Sequence, residues 1–440
     1  MIIRSKLMTV IVVLLLSASF ILTTGFTFVS MVRQASPVAA SLAPAPEFPF
    51  ADAKGNWAEA AIAEMYAKDV MKGYNDNSFK PKKPVTFLEA VVMLDKMLWG
   101  KPISIDISSD YLHEQFNIPE WAVGYISSAM RNNIMSWNEL QKASREQPLT
   151  RQDAALLAIR ALELTKQAKA KTDITLPFSD LNQISESMKG YITVAYERRI
   201  INGYPDGTFQ PNGPISRAET AILLSNIALQ IPSVNADEIA GFVKSTDLQN
   251  TTVSLVYGVN QEAQIKLPEQ CLIYFNDAPS TIAELSAGNH IRIITSESAK
   301  LTVVLADAAV PDSGTSIVMT PVDYTTAPLN LQQWVETNKI SESYVAGTFN
   351  GGLYFMATRG EKMYMGYSVE ITRVSTSEDQ KGINYRIWLD RSDPGRNAVK
   401  LPRISYPFAM VRVDLPSKSI GTVTFVDRFN EIITEVKLPR

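Results

Sequence analysis

The 440-residue chain contains one cysteine and two histidines. A single thiol, Cys271, excludes an intramolecular disulfide and a cysteine-based metal cluster, so stability has to come from packing. It lies in the apolar run Cys271-Leu272-Ile273-Tyr274-Phe275, where a buried, inert thiol is expected. His113 and His290 fall in different expected domains, which leaves no Ser-His-Asp, Cys-His or zinc constellation. A carboxylate pair is the one catalytic arrangement left open, but 45 acidic residues form pairs by chance and no spacing singles one out. The chain is therefore read as a non-enzyme, with no catalytic residue, cofactor or metal site assigned. Charge of one sign is lacking too, since a formal net charge of −3 offers no reason to expect the clustered basic face of a nucleic-acid binder.

What is present is an ordinary globular composition, 46% hydrophobic and 20% charged. The length exceeds what one core usually organises, so two to four domains are expected. Arg4 and Lys6 precede an apolar run from Leu7 to Leu22, and small residues follow around Val38-Ala39-Ala40. This is the pattern of a secretory signal over residues 1–40, with no integral membrane span after cleavage. The apolar stretch continues to Met31 and is long enough to cross a bilayer, so a retained anchor is the competing reading; export is common to both. Pro44 and Pro46 stiffen a linker over residues 41–47.

Internal repetition is the most informative feature. Gly73-Tyr74-Asn75-Asp76-Asn77-Ser78-Phe79-Lys80-Pro81 and Val85-Thr86-Phe87-Leu88-Glu89 align with Gly203-Tyr204-Pro205-Asp206-Gly207-Thr208-Phe209-Gln210-Pro211 and Ile215-Ser216-Arg217-Ala218-Glu219. Thirteen residues separate Gly73 from Thr86 and Gly203 from Ser216, and Leu149-Thr150-Arg151-Gln152-Asp153 marks a middle copy. Each copy reads as helix, turn, helix. Trp57, Ala61, Ile62, Met65 and Tyr66 recur at helical spacing, as do Trp121, Tyr125, Ile126 and Met130, and Tyr191, Val194 and Ala195. Thr86, Thr150 and Ser216 stand at helix N-caps, with an acid three residues on, the capping-box spacing. The second helices are apolar nearly all round, so the three are expected to pack on one another.

These residues resemble the S-layer homology repeat family. The third copy carries the hallmark almost complete: Phe178-Ser179-Asp180, the turn from Gly203 to Pro211, and Ser216-Arg217-Ala218-Glu219. The resemblance covers residues 48–231, as repeats over 48–104, 105–170 and 171–233. It implies a pseudo-threefold helical bundle that binds pyruvylated secondary polysaccharides of the cell wall in grooves between repeats. An arginine in the first turn of a helix offers a bidentate fork beside free N–H groups, which suits a carboxylate-bearing polymer. Arg151 and Arg217 are the expected contacts, with Gly203 and Gly207 admitting the sugar to the backbone and Asp206 orienting the turn or accepting hydroxyls. The competing reading is that Asp206 closes the turn and the cap residues only cap. Two departures stand out: Phe87 replaces the first arginine, and Trp137-Asn138-Glu139-Leu140 replaces the second glycine turn.

Beyond residue 235 helical periodicity gives way to alternation, as in Thr252-Val253-Ser254-Leu255-Val256-Tyr257 and His290-Ile291-Arg292-Ile293-Ile294. A small antiparallel β domain is expected over 236–320, and a further β-rich domain over 325–440. In the latter, Gly366-Tyr367-Ser368-Val369 and Tyr406-Pro407-Phe408-Ala409 resemble the PrcB C-terminal family, implying a noncatalytic domain that accompanies a surface protease; Tyr364-Met365 departs from that pattern. The fold expected is thus multidomain, an all-α three-repeat bundle followed by one small antiparallel β domain and one β-rich domain. The function expected is a secreted surface protein anchored non-covalently to the wall. Its alternatives are a noncatalytic protease subunit and a wall-localised hydrolase.

Overall fold

The computed structural model describes residues 48–100, 109–144, 147–231, 238–257, 261–268, 271–308, 314–363, 367–392, 404–427 and 432–438. The expected signal and linker, and Tyr364 to Gly366, lie outside them. The first half is helical: α1 (Glu59–Ala67), α2 (Phe87–Trp99), α3 (Ser109–Phe116), α4 (Glu120–Arg131), α5 (Leu140–Ser144), α6 (Arg151–Ala161), α7 (Thr165–Ala170), α8 (Glu186–Glu197) and α9 (Arg217–Ala228). Thr86 and Ser216 form full capping boxes with Glu89 and Glu219, and Thr150 accepts from the Asp153 amide. The starts of α2, α6 and α9 are therefore set by residues within one turn, where orphan N–H groups need acceptors.

A ring of backbone hydrogen bonds relates the three copies. The Val85 amide donates to the Ile215 carbonyl (3.0 Å), Ile215 to Leu149 (2.9 Å) and Leu149 to Val85 (2.8 Å). Around it the second helix of each copy packs on the first helix of the next: α2 on α4, α6 on α8, and α9 on α1. The second helices also touch, α2 meeting both α6 and α9. At one equivalent position of each helix pair, Asp95 accepts from Ser128 (2.7 Å), Glu64 accepts from Ser225, and buried Ile159 and Val194 stand in the third. Trp57 and Trp121 do not join the buried faces as the spacing suggested. They precede or open their helices and are 63% and 60% exposed.

Next comes a seven-stranded sheet of β1 (Glu238–Asp247), β2 (Thr252–Tyr257), β3 (Gln261–Lys266), β4 (Cys271–Phe275), β5 (Ala278–Pro279), β6 (His290–Ser296) and β7 (Leu301–Asp307), in the order β3-β2-β1-β6-β7-β4-β5. Its central strands are buried on both faces. Ile291, Ile293 and Val304 face a core with Val253 and Leu255, whereas Leu272, Tyr274, Ile294, Leu301 and Val303 join the core of the helices. Period-two alternation turns each strand's neighbours to opposite faces, and here both faces are apolar. Cys271 is buried, which pushes its thiol up to about 12 and leaves it unreactive.

The remainder contains β8 (Thr315–Ser316), β9 (Thr320–Pro321), α10 (Leu329–Asn338), β10 (Glu342–Phe349), β11 (Gly352–Arg359), β12 (Ser368–Asp379), β13 (Gly382–Ser392), β14 (Phe408–Asp414), β15 (Ile420–Val426) and β16 (Ile432–Lys437). Two sheets, β10-β11-β14-β9 and β16-β15-β13-β12-β8, share one core through Leu353, Phe355 and Val411 on one side and Ile371, Ile387 and Phe425 on the other. The back of β11 is covered by α10, where Tyr354 and Met356 meet Leu331 and Val335. That double coverage explains the unbroken apolar run Leu353-Tyr354-Phe355-Met356-Ala357.

The expected fold class is corrected by this arrangement. Helices make up 31% of the described residues, and three sheets follow the helical region, so an all-α bundle followed by one small antiparallel β domain and one β-rich domain does not describe the chain. The first sheet is neither small nor purely antiparallel, because β4 runs parallel to β7, and it shares the bundle's core. The last region is an antiparallel four-stranded sheet and a mixed five-stranded sheet, which holds the parallel pair β13 and β15, with a helix. Alternation alone does not reveal which strands pair in parallel or what covers their second face.

Candidate functional site

Each glycine turn is held by the aspartate that opens its repeat. Asp180 accepts from the amides of Phe209 and Gln210, both at 2.8 Å, and Asp52 accepts from Phe79 and Lys80 at the same distances. Asp206 accepts from the Thr208 amide (2.9 Å) and hydroxyl (2.6 Å), closing the turn within itself. Its exposed carboxyl is held below the usual range by those two bonds. Gly207 takes φ +80°, a left-handed position that suits glycine. Gly203 is required for a different reason: a Cβ there would lie 2.5 Å from Cε1 of Phe178, whose ring is held between Tyr196 and Phe209. Gly203→Ala is expected to destabilise the protein by about 1–3 kcal/mol, because the ring has no space to retreat. An unchanged urea midpoint would remove that reading.

Both arginines are buried and reach into the turn of the next copy. Arg217, 4% exposed, donates from Nε to the Phe79 carbonyl (2.8 Å) and from Nη2 to that of Lys72, and lies over the rings of Phe79 and Tyr74. Arg151 does the same to the third copy, through the carbonyls of Phe209 (2.9 Å) and Asn202, and adds an ion pair to Glu219 (3.2 Å). At the remaining junction Phe87 occupies the arginine position, its amide bonded to the Gln147 carbonyl; Lys142 stands over its ring and pairs with Asp153 (2.9 Å). The two departures noted in the sequence are thus one event: copy one lacks the arginine that copy two lacks the turn to receive.

A groove of about 570 Å³ opens at the third copy. Ile200, Ile215, Ile222 and Leu223 give it an apolar floor, Tyr204 and Trp57 provide aromatic walls, and Asn202, Asn226, Arg151 and Glu219 supply polar groups. Tyr204 donates to Glu219 (2.6 Å), and burial together with that bond pushes its phenol up to about 12, so it remains a donor. Burial raises the Glu219 carboxyl, but bonds from Ser216 and Tyr204 and the nearby Arg151 outweigh it and hold it below its usual range. Of the residues singled out in the sequence, Arg151 and Gly203 line this groove, while Arg217, Asp206 and Gly207 do not. Trp57, Tyr204 and Asn202 were missed as contacts. Trp57 carried a signal, a large aromatic beside the Gly55-Asn56 turn and ahead of the helix rather than within it.

The fold and groove define a class: a cyclic module of three helix-turn-helix copies, cross-linked by buried arginines, that precedes β sheets. The S-layer homology domain model matches residues 49–91 and 177–221, and the PrcB C-terminal model matches residues 353–414. The chain carries S-layer homology repeats and is a secreted, cell-wall-anchored surface protein. It is 27% identical over 178 residues to an amylopullulanase of Thermoanaerobacterium thermosulfurigenes, covering 40% of this chain and 9% of that one. It is 26% identical over 155 residues to a cellulosome-anchoring protein of Acetivibrio thermocellus, covering 35% and 34%. With the surface-layer 125 kDa protein of Lysinibacillus sphaericus it shares 21% over 213 residues, 48% of this chain and 17% of that protein. The chain thus spans at most about a third of the length of these three relatives. The matches to glycosidases cover the repeat region alone.

Proposed function

We propose that the groove at the third copy binds a secondary cell-wall polysaccharide and that this contact holds the protein at the wall, with the C-terminal sheets displayed as a noncatalytic domain. The observation that carries this reading is the groove's composition. An exposed indole stacks on the apolar face of a sugar ring, Asn202, Asn226 and Tyr204 engage hydroxyls, and Arg151 supplies the cation for a carboxylate on the polymer. The Arg151 fork is already shared with Glu219, so a ligand carboxylate competes for it and selects polymers that also fill the aromatic wall. In this reading Arg217, Gly203, Asp206 and Gly207 serve by holding the turns in shape.

Co-sedimentation of the full chain with purified sacculi, before and after acid extraction of the secondary polymer, tests the proposal. Arginine variants confound it, since both side chains cross-link copies. Trp57→Ala is the cleaner probe, because an exposed side chain contributes little to folding. Its affinity is expected to fall about tenfold, roughly 1.4 kcal/mol, with an unchanged urea midpoint. Wild-type binding that survives extraction, or a Trp57→Ala variant that binds as the parent does, would refute the groove reading.

A further inference from the structure

The seven-stranded sheet is linked to the turn that carries Trp57 through two side chains. Tyr274 of β4 is 1% exposed and donates from its hydroxyl to Oε1 of Glu59 (3.1 Å), 215 residues away at the start of α1. The other oxygen of that carboxylate, Oε2, accepts from the Gly55 amide (2.6 Å), and Gly55 sits at φ +71° in the turn that leads into α1. The same turn is closed by Asn56, which accepts from the Ala58 amide at 2.9 Å and from the Glu59 amide at its carbonyl. Trp57 lies between them and points to the groove, 63% exposed and with no ring partner among the described contacts. Its orientation therefore depends on the turn that Glu59 holds, and Glu59 is held in turn by the sheet.

We propose that the sheet is a working part of the anchor and that Tyr274 is a positioning residue, orienting Trp57 for the glycan through Glu59 and the Gly55 turn. This rests on the groove reading above. Around Glu59 the sheet is fixed against α1 by a second set of contacts, in which Arg292 of β6 forks onto Glu64 (2.6 and 3.1 Å) and Lys68 bridges Glu64 and Glu238. The sheet cannot slide along α1 without breaking that fork, so the hydroxyl of Tyr274 is presented to Glu59 at a set height. A bundle without its sheet retains Trp57 but loses the constraint on it.

The test uses the full chain with 5-fluorotryptophan and reads three things: affinity for polymer-bearing sacculi, the fluorine resonance of Trp57 assigned with Trp57→Phe, and hydrogen exchange of the Gly55–Ala58 amides. Tyr274→Phe keeps the ring in the core and removes the one hydroxyl. It is expected to weaken binding about 3- to 10-fold, shift or broaden the Trp57 resonance and speed exchange in the turn, in keeping with the loss of one buried hydrogen bond. Glu59→Gln can still accept from the Gly55 amide at Oε1 and donate from Nε2 to the Tyr274 hydroxyl, so it should keep near-parental values, whereas Glu59→Ala should reproduce or exceed the Tyr274→Phe defect. Parental affinity, resonance and exchange in Tyr274→Phe would overturn the proposal. If the parent itself fails to bind sacculi, the groove reading falls, and the resonance and exchange still decide whether the sheet sets Trp57.

Discussion

Glu64→Ala is expected to be among the most destabilising single substitutions in the helical half, costing about 3–5 kcal/mol, because it strands a buried guanidinium. Glu64 is fully buried on α1, and Arg292, itself buried, donates to both of its oxygens. Burial raises the Glu64 carboxyl, but Arg292 and Lys68, with hydrogen bonds from Arg292 and Ser225, outweigh it and hold it below its usual value. Burial would lower the Arg292 guanidinium, and Glu64 and Glu238 overcome that and raise it. A carboxyl whose folded pKa is depressed stabilises above its unfolded pKa and loses that contribution as pH falls through the folded one. The Glu64 contribution is therefore full at neutral pH and declines below the carboxyl's ordinary 4.5. Urea unfolding at pH 7 and pH 4 checks both statements: Glu64→Ala should lower the midpoint sharply at pH 7, with a smaller difference at pH 4. The pair Glu64→Met with Arg292→Leu should recover most of the loss, since an apolar pair removes the desolvation cost of both charges. Because bundle and sheet share one core, the bundle and sheet signals should move together in Glu64→Ala.

Arg217→Ala is the second large effect, about 3 kcal/mol. Two carbonyls, the buried one of Phe79 and the part-buried one of Lys72, lose their donor, and the space between the rings of Tyr74 and Phe79 opens. Arg217→Lys should recover only part of it, because an ammonium lacks the planar fork that serves two carbonyls from one position. Arg151→Ala should behave similarly, with Glu219 losing its cation. Chemical denaturation measures each, and trypsin cleavage after Lys72 should accelerate in Arg217→Ala as the first turn loosens. A loss under 1 kcal/mol would mean that the arginines are not cross-links.

These results also separate anchoring from assembly. An arginine variant that fails to sediment with sacculi has lost its shape, whereas Trp57→Ala has lost its contact. That distinction was hidden in the sequence, where Arg151 and Arg217 stood out as the obvious cations for an acidic polymer and Trp57 read as one more residue of a helix face.

Much of the helical half was legible because its signals are short-range. Thr86 with Glu89, and Ser216 with Glu219, lie within one helical turn, so their capping chemistry needs no tertiary partner. Gly207 and Asp206 close their turn with atoms two residues away. Repetition was likewise countable, since Gly73 and Gly203 each stand thirteen residues before a cap. The β half was legible as strands and in its resemblance to the PrcB C-terminal family, which the family model matches over residues 353–414, but not in its strand pairing. Alternation does not tell a strand with one wet face from one covered twice when the covering helix is distant, so the docking of β4, β6 and β7 on the bundle went unseen.

What the sequence by itself determined was therefore the local grammar: three caps, two glycine turns, and the change from helical to strand periodicity. Tertiary structure alone decided which copy meets which. It made Phe87 and the missing second turn a single vacancy, placed Arg217 138 residues away on the Phe79 carbonyl, and joined Arg292 to Glu64 across 228 residues. The physical reason is that a cap or a turn is satisfied by its neighbours in the chain, whereas a buried charge is satisfied by whatever the fold brings to it, and no spacing rule records that partner.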